Sequence, residues 1–150
     1  MRLLFCLVML SMTISISNAD ILHVKQAKLA GAAFRCSVFA TMLGNGDEMK
    51  RLFAIGWREG MNFLDATNGN HALQTEMYKQ LPISMIPQNS MHGRDFDLGR
   101  FYEKTTAKIT NPLSNLPIGG DADAWLDESE KTLRAFAKMQ SENENCSLLQ

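Results

Sequence analysis

The chain has 150 residues, 45% hydrophobic and 21% charged, with 15 Lys and Arg set against 16 Asp and Glu. That near balance argues against a nucleic-acid binder, which carries a basic face, and no basic amphipathic segment points to a membrane surface. The length suits one domain that buries a core without help from metals.

The opening stretch, MRLLFCLVMLSMTISISNA, reads as a signal peptide. Arg2 precedes an apolar run, and Ser17-Asn18-Ala19 places small residues three and one before a cleavage point between Ala19 and Asp20. The other reading, a membrane anchor, is disfavoured because Leu3 to about Ile16 is short for a span. Cys6 would leave with the signal. The expectation is therefore a signal peptide over 1–19 and a single helical domain over 20–150, working outside the cytoplasm in an oxidising space.

The elements of that domain are helices separated by Gly, Asn and Pro; no run alternates with the β-branched enrichment of a strand. The first helix is expected from Ile21 to Leu43. Its inner seam is Leu22, Leu29, Ala33, Cys36, Ala40 and Leu43, widened by Phe34, Val38 and Phe39, with Lys25, Lys28 and Arg35 towards solvent. Gly44-Asn45-Gly46 stops it. Asp47 then caps a second helix to Thr67, with Leu52, Phe53, Gly56, Trp57, Gly60, Phe63 and Leu64 inward. Gly56 and Gly60, one turn apart, suggest a close crossing against the alanine-rich middle of the first helix; Arg58 and Glu59 between them rule out a lipid-buried pairing motif.

After Asn68-Gly69-Asn70 a shorter helix is expected from His71 to Gln80, with Leu73 and Met77 inward, ended by Leu81-Pro82. No periodicity holds from Ile83 to Arg94. A fourth helix runs from Asp95 to Ile109 with Phe96, Leu98, Phe101, Tyr102 and Ile109 as its apolar positions. The stretch PLSNLPIGG leads to Asp121 or Asp123 as a cap, and a last helix reaches Gln140 on a stripe of Trp125, Leu126, Leu133, Phe136 and Met139. The polar run SENEN carries the chain on to Cys146. The fold class is thus all-α, a compact bundle of about five helices.

Two cysteines remain beyond the signal, Cys36 and Cys146, and in an oxidising space the simplest account is one disulfide between them. The rival, a nucleophilic cysteine with His23, His71 or His92, lacks any recognisable arrangement. No metal-ligand spacing, phosphate-cradling loop or nucleophile elbow is present, so no catalytic residue, metal or cofactor is expected, haem included. The segment that resists a structural account is Ile83 to Arg94, ISMIPQNSMHGR. Its side chains read equally as core cover or as an adaptable contact loop, with core cover favoured for Ile83 and contact for Gln88, Asn89, Ser90, Met91 and His92, where His92 and Arg94 add polar anchors.

The segments AAFRCSVFATMLG, FAIGWREGMNFLDA and DFDLGRFYEKT, with the lone cysteine near the C-terminus, follow the signal-like start. Together they resemble the periplasmic immunity proteins that neutralise amidase effectors of the bacterial type VI secretion system. The resemblance spans most of the chain beyond the signal and rests on diffuse helix-packing patterns. It implies a periplasmic, commonly homodimeric helical protein that is not an enzyme and that occludes the cleft of a peptidoglycan amidase with a protruding loop. Carried onto this chain, the staple is Cys36 and Cys146 and the plug is Gln88 to Arg94, with Asp95, Gly99 and Arg100 also matching. Asn68 to Asn70 and Leu116 to Gly120 are the other loops open to that role. A periplasmic chaperone or stress-binding helical module is the alternative function.

Overall fold

Helix α1, Asn18–Met42, is the element around which the others assemble in the computed structural model, which describes residues 18–68, 77, 79–81, 93–110 and 122–150. Ala27, Ala30, Gly31 and Ala33 are small enough to let neighbours close on the helix from several directions, and Phe34 and Phe39 fill the spaces between them. Around α1 pack α2, Gly46–Thr67, α3, Arg94–Thr110, and α4, Ala122–Asn143, before a 3-10 turn at Cys146–Leu148. The protein is all-helical among the described residues. Of the helix expected over His71 to Gln80, Met77, Lys79 and Gln80 are described and have helical backbone. Met77 is buried as expected and its carbonyl accepts the Leu81 N–H at 2.9 Å.

The link between α1 and α2 is compressed into Leu43, Gly44 and Asn45. Gly44 has φ +75°, its N–H donates to the Thr41 carbonyl, and the Asn45 N–H donates to the Ala40 carbonyl at 2.9 Å. These paired bonds from a left-handed residue and its successor satisfy the last carbonyls of α1. Asn45 then serves α2 as well, its side-chain oxygen accepting the Glu48 N–H at 3.2 Å. The expected cap, Asp47, instead lies inside the first turn, where its charge favours the helix dipole. The helix begins earlier than expected because an asparagine one step after a left-handed glycine already has the non-helical backbone a cap needs.

Two apolar clusters form the core. One joins Val24, Ala27, Ala30 and Phe34 of α1 to Phe63, Leu64, Met77, Leu81, Leu98 and Phe101. The other joins Cys36, Phe39 and Ala40 to Leu52, Ile109, Ala137 and Cys146. Cys36 and Cys146 are disulfide-bonded, with Cα atoms 5.5 Å apart and 110 residues of separation. In the chain-entropy treatment a loop of that length contributes on the order of 4–5 kcal/mol.

Several expected faces are corrected. Leu22 is 54% exposed, because the buried line at this end of α1 runs through Val24 and Ala27, and Leu22 lies about 200° round the helix from Val24. Arg35 does not simply face solvent: it is half-buried against Glu144. Gly56 approaches α1 through a ring and not an alanine, since a Cβ there would lie 2.6 Å from Phe34 Cδ1. Gly60 faces α3 instead, where a Cβ would fall on Leu98 Cδ1. Gly99, by contrast, opens to solvent with nothing within 4 Å of a Cβ. Met139 is half exposed, and between Asp127 and Asn143 the inner stripe is Leu133, Phe136 and Ala137; the side chains of Trp125 and Leu126 lie outside those described. SENEN is helical as far as Asn143, and the left-handed Asn145 (φ 53°) then turns Cys146 inward.

Candidate partner-binding surface

The contact loop expected between Ile83 and Arg94 is framed by two ordered ends. On one side Leu81, buried in the first core cluster with Met77 and Leu98, fixes the point from which the chain departs. On the other, Gly93 adopts φ +94°, a conformation costly for any residue with a Cβ, and its carbonyl accepts the Asp97 N–H at 3.2 Å. Arg94 follows as the first residue of α3 and pairs through Nη1 with the Asp65 carboxylate near the end of α2. Both members of that pair are more than half exposed, so it orients the return of the chain more than it stabilises the fold.

Of the residues expected to meet a partner, Arg94 is therefore placed on the surface beside Asp65. Gln88, Asn89, Ser90, Met91 and His92 lie outside the described residues. Of the other loops open to the role, Asn68 is exposed and closes α2 by donating its N–H to the Leu64 carbonyl at 3.1 Å. Gly69, Asn70 and Leu116 to Gly120 lie outside the described residues. Asp95, Gly99 and Arg100 are all exposed on α3, with the Arg100 guanidinium 6.0 Å from the centre of the Phe96 ring. Phe96, expected inward, is 46% exposed, because the first turn of α3 lies ahead of its buried positions Leu98 and Phe101.

Sequence periodicity misplaced a second surface. Phe53 and Trp57, expected on the inner side of α2, are 36% and 38% exposed and stack on each other with centroids 6.0 Å apart. They lie one residue past Leu52 and Gly56, hence about 100° round the helix from the buried line. Beneath them Phe34 and Tyr102 complete an aromatic cluster, with Phe53 5.6 Å from Phe34 and 5.7 Å from Tyr102. The signal was present in the sequence as apolar residues adjacent along the chain, which cannot all share one helical face.

A third feature gathers the C-terminus. Arg51 holds Glu48 at 2.6 Å and also donates from Nη1 to the Leu149 carbonyl at 2.6 Å. The hydrogen bond from Arg51 holds the Glu48 carboxyl below its ordinary value, and the same contact raises the Arg51 guanidinium. No group of three or more His, Cys, Asp or Glu able to hold a metal occurs among the described residues. No described helix is long and apolar enough to cross a membrane.

These features define a small all-helical protein with a disulfide tying its last turn to its central helix. No protein-family model matches the chain, and neither a curated protein nor a solved structure is significantly similar to it.

Proposed function

We propose that the protein is an immunity protein, exported to the periplasm, that binds a type VI secretion peptidoglycan amidase effector and inhibits it by occluding the active-site cleft. The reading begins from the sequence resemblance. The observation that carries it furthest is the framing of the loop: a buried Leu81 at one end, and a left-handed Gly93 with the Arg94–Asp65 pair at the other. A plug must be presented in its binding conformation, because ordering a slack segment on contact costs affinity, and fixed ends reduce that cost. The Cys36–Cys146 bond suits an oxidising space. In this reading the protein contributes no chemistry of its own: it excludes the substrate peptide and covers the enzyme's reactive groups, acting as a homodimer as the resemblance implies.

The test is inhibition of purified type VI amidases hydrolysing peptidoglycan, with the oxidised protein and with a variant in which Met91 and His92 are both glycine. Nanomolar inhibition of one amidase, lost in the variant while its melting temperature holds, supports the proposal. If no amidase is inhibited, the proposal fails. Weak binding to many unfolded polypeptides would support the chaperone alternative, for which Phe53 and Trp57 supply exposed apolar surface.

A further inference from the structure

We propose that α4 and the C-terminal turn form a latch over a buried disulfide, opening as one unit, so that reduction of the bond is gated by that opening and then leaves the latch released. The proposal is independent of what the protein binds.

Three observations carry it. First, both cysteines are buried, Cys36 at 1% and Cys146 at 4% exposure, so an external thiol cannot reach either sulfur until something moves. Second, the piece best able to move is α4 with the tail. Among the described residues, the first core cluster draws nothing from beyond α3, and α4 lies along α1. From Asp127 to Asn143 only Ala137 is fully buried, with Phe136 meeting Phe39 edge-on at 6.4 Å. Few buried apolar contacts mark a segment that opens at lower cost than the body.

Third, polar fastenings gather at the free end, beside Leu149, which packs on the second core cluster. The Arg35 guanidinium grips the Glu144 carboxylate with Nε at 2.7 and 2.9 Å from its two oxygens and Nη2 at 2.7 Å from one of them. This forked pair is half-buried and stands two residues from Cys146 and one from Cys36, so it must part when the sulfurs are uncovered. Arg51, reaching the Leu149 carbonyl, closes the other side of the turn.

The chemistry is thiol–disulfide exchange with a dithiol. One thiolate of the reductant attacks a cysteine sulfur and the bond between Cys36 and Cys146 breaks. The mixed disulfide is then resolved by the second thiol. Two electrons pass to the protein, each cysteine sulfur takes up a proton, and the reductant is left as its own disulfide. Without the bond, the described fastenings of α4 and the tail are the packing of Phe136, Ala137 and Leu149 and the contacts made by Arg35 and Arg51.

The experiment follows reduction of the folded, oxidised full chain by dithiothreitol, trapping new thiols with a maleimide. Glu144→Gln removes the charge from the grip while keeping its shape, and reduction is expected to be about tenfold faster than in the parent protein. Phe63→Leu, which weakens the first cluster, should leave the rate unchanged, because the opening does not pass through it. Hydrogen exchange on the reduced, alkylated chain should show amides of 127–150 losing protection while those of 24–64 keep theirs. Equal rates for Glu144→Gln and the parent would overturn the latch. So would acceleration by Phe63→Leu, or loss of protection throughout the chain on reduction.

Discussion

Replacing Gly56 with alanine places a methyl group 2.6 Å from Phe34 Cδ1 and 2.7 Å from Cε1, where ordinary contact begins at 3.4 Å. The ring must therefore retreat by about 0.8 Å, the difference between those two distances. It has little room, being fully buried with ring centroids of Phe53, Tyr102 and Phe101 at 5.6, 5.1 and 6.0 Å. Overpacking of this kind costs about 1–3 kcal/mol, whereas alanine gains about 1 kcal/mol over glycine in a helix interior. The net is a loss of about 1 kcal/mol, softened if Phe53 swings into solvent. Gly99→Ala supplies the control: nothing lies within 4 Å of its Cβ, so the helix gain of about 1 kcal/mol stands alone. Gly60→Ala falls between them, because the atom it meets is a terminal methyl of Leu98, which can rotate where a ring cannot. Thermal and urea unfolding of the oxidised proteins should order them Gly99→Ala, parent, Gly60→Ala, Gly56→Ala, from most to least stable. A Gly56→Ala protein as stable as Gly99→Ala would refute the idea that the α1–α2 crossing is set by Phe34 seated on a bare backbone.

Asn45→Ala should cost about 1 kcal/mol by urea titration, while Asp47→Ala loses only its dipole share of about 0.3–1 kcal/mol; the reverse order would return the cap to Asp47. Phe34→Ala empties the centre of the aromatic cluster and should cost about 3–5 kcal/mol, read as a collapse in melting temperature. Arg94→Ala breaks an exposed pair with Asp65, so stability should fall by under about 1 kcal/mol and the difference should fade in high salt. Acid should weaken the Glu48–Arg51 contact in a defined direction. The folded Glu48 carboxyl is held below its ordinary 4.5, so its contribution is present at neutral pH and is lost as pH falls through the lowered value. The melting difference between the parent and Glu48→Gln, positive at pH 7, should therefore close towards pH 3.

The all-helical architecture was legible because its signals are local. Gly44 and Asn45 mark the α1–α2 turn through backbone preference alone, and α1 announces its inner side through Ala33, Cys36 and Ala40. Pairing of Cys36 with Cys146 followed from arithmetic, since no other cysteine remained beyond the expected signal. Faces were harder where one helix meets two neighbours. Phe53 and Trp57 look inward by hydrophobicity, yet the interior line of α2 already runs through Leu52, Ile55, Gly56, Gly60 and Phe63, leaving the larger rings at its margin. The destination of Arg35 was invisible for a different reason. Its partner, Glu144, is 109 residues away, and no periodicity within α1 encodes a contact with the chain's last turn. At the surface proposed for binding, Arg94 is exposed and pairs with Asp65, and Gly93 has the left-handed backbone that glycine permits.

The separation of 110 residues between the two half-cystines also orders events during synthesis. The chain emerges N-terminus first, so the short connection between α1 and α2 lets them find each other by local search before α4 is at hand. Cys36 then waits on α1 beside Phe39, Ala40 and Leu52, while the rest of its cover, Ile109, Ala137 and Cys146, is still to come. When Cys146 arrives, Asn145 and the last turns of α4 present it to a sulfur already fixed in place. Oxidation then acts as a final inspection, sealing only those chains whose C-terminal half has reached its proper station.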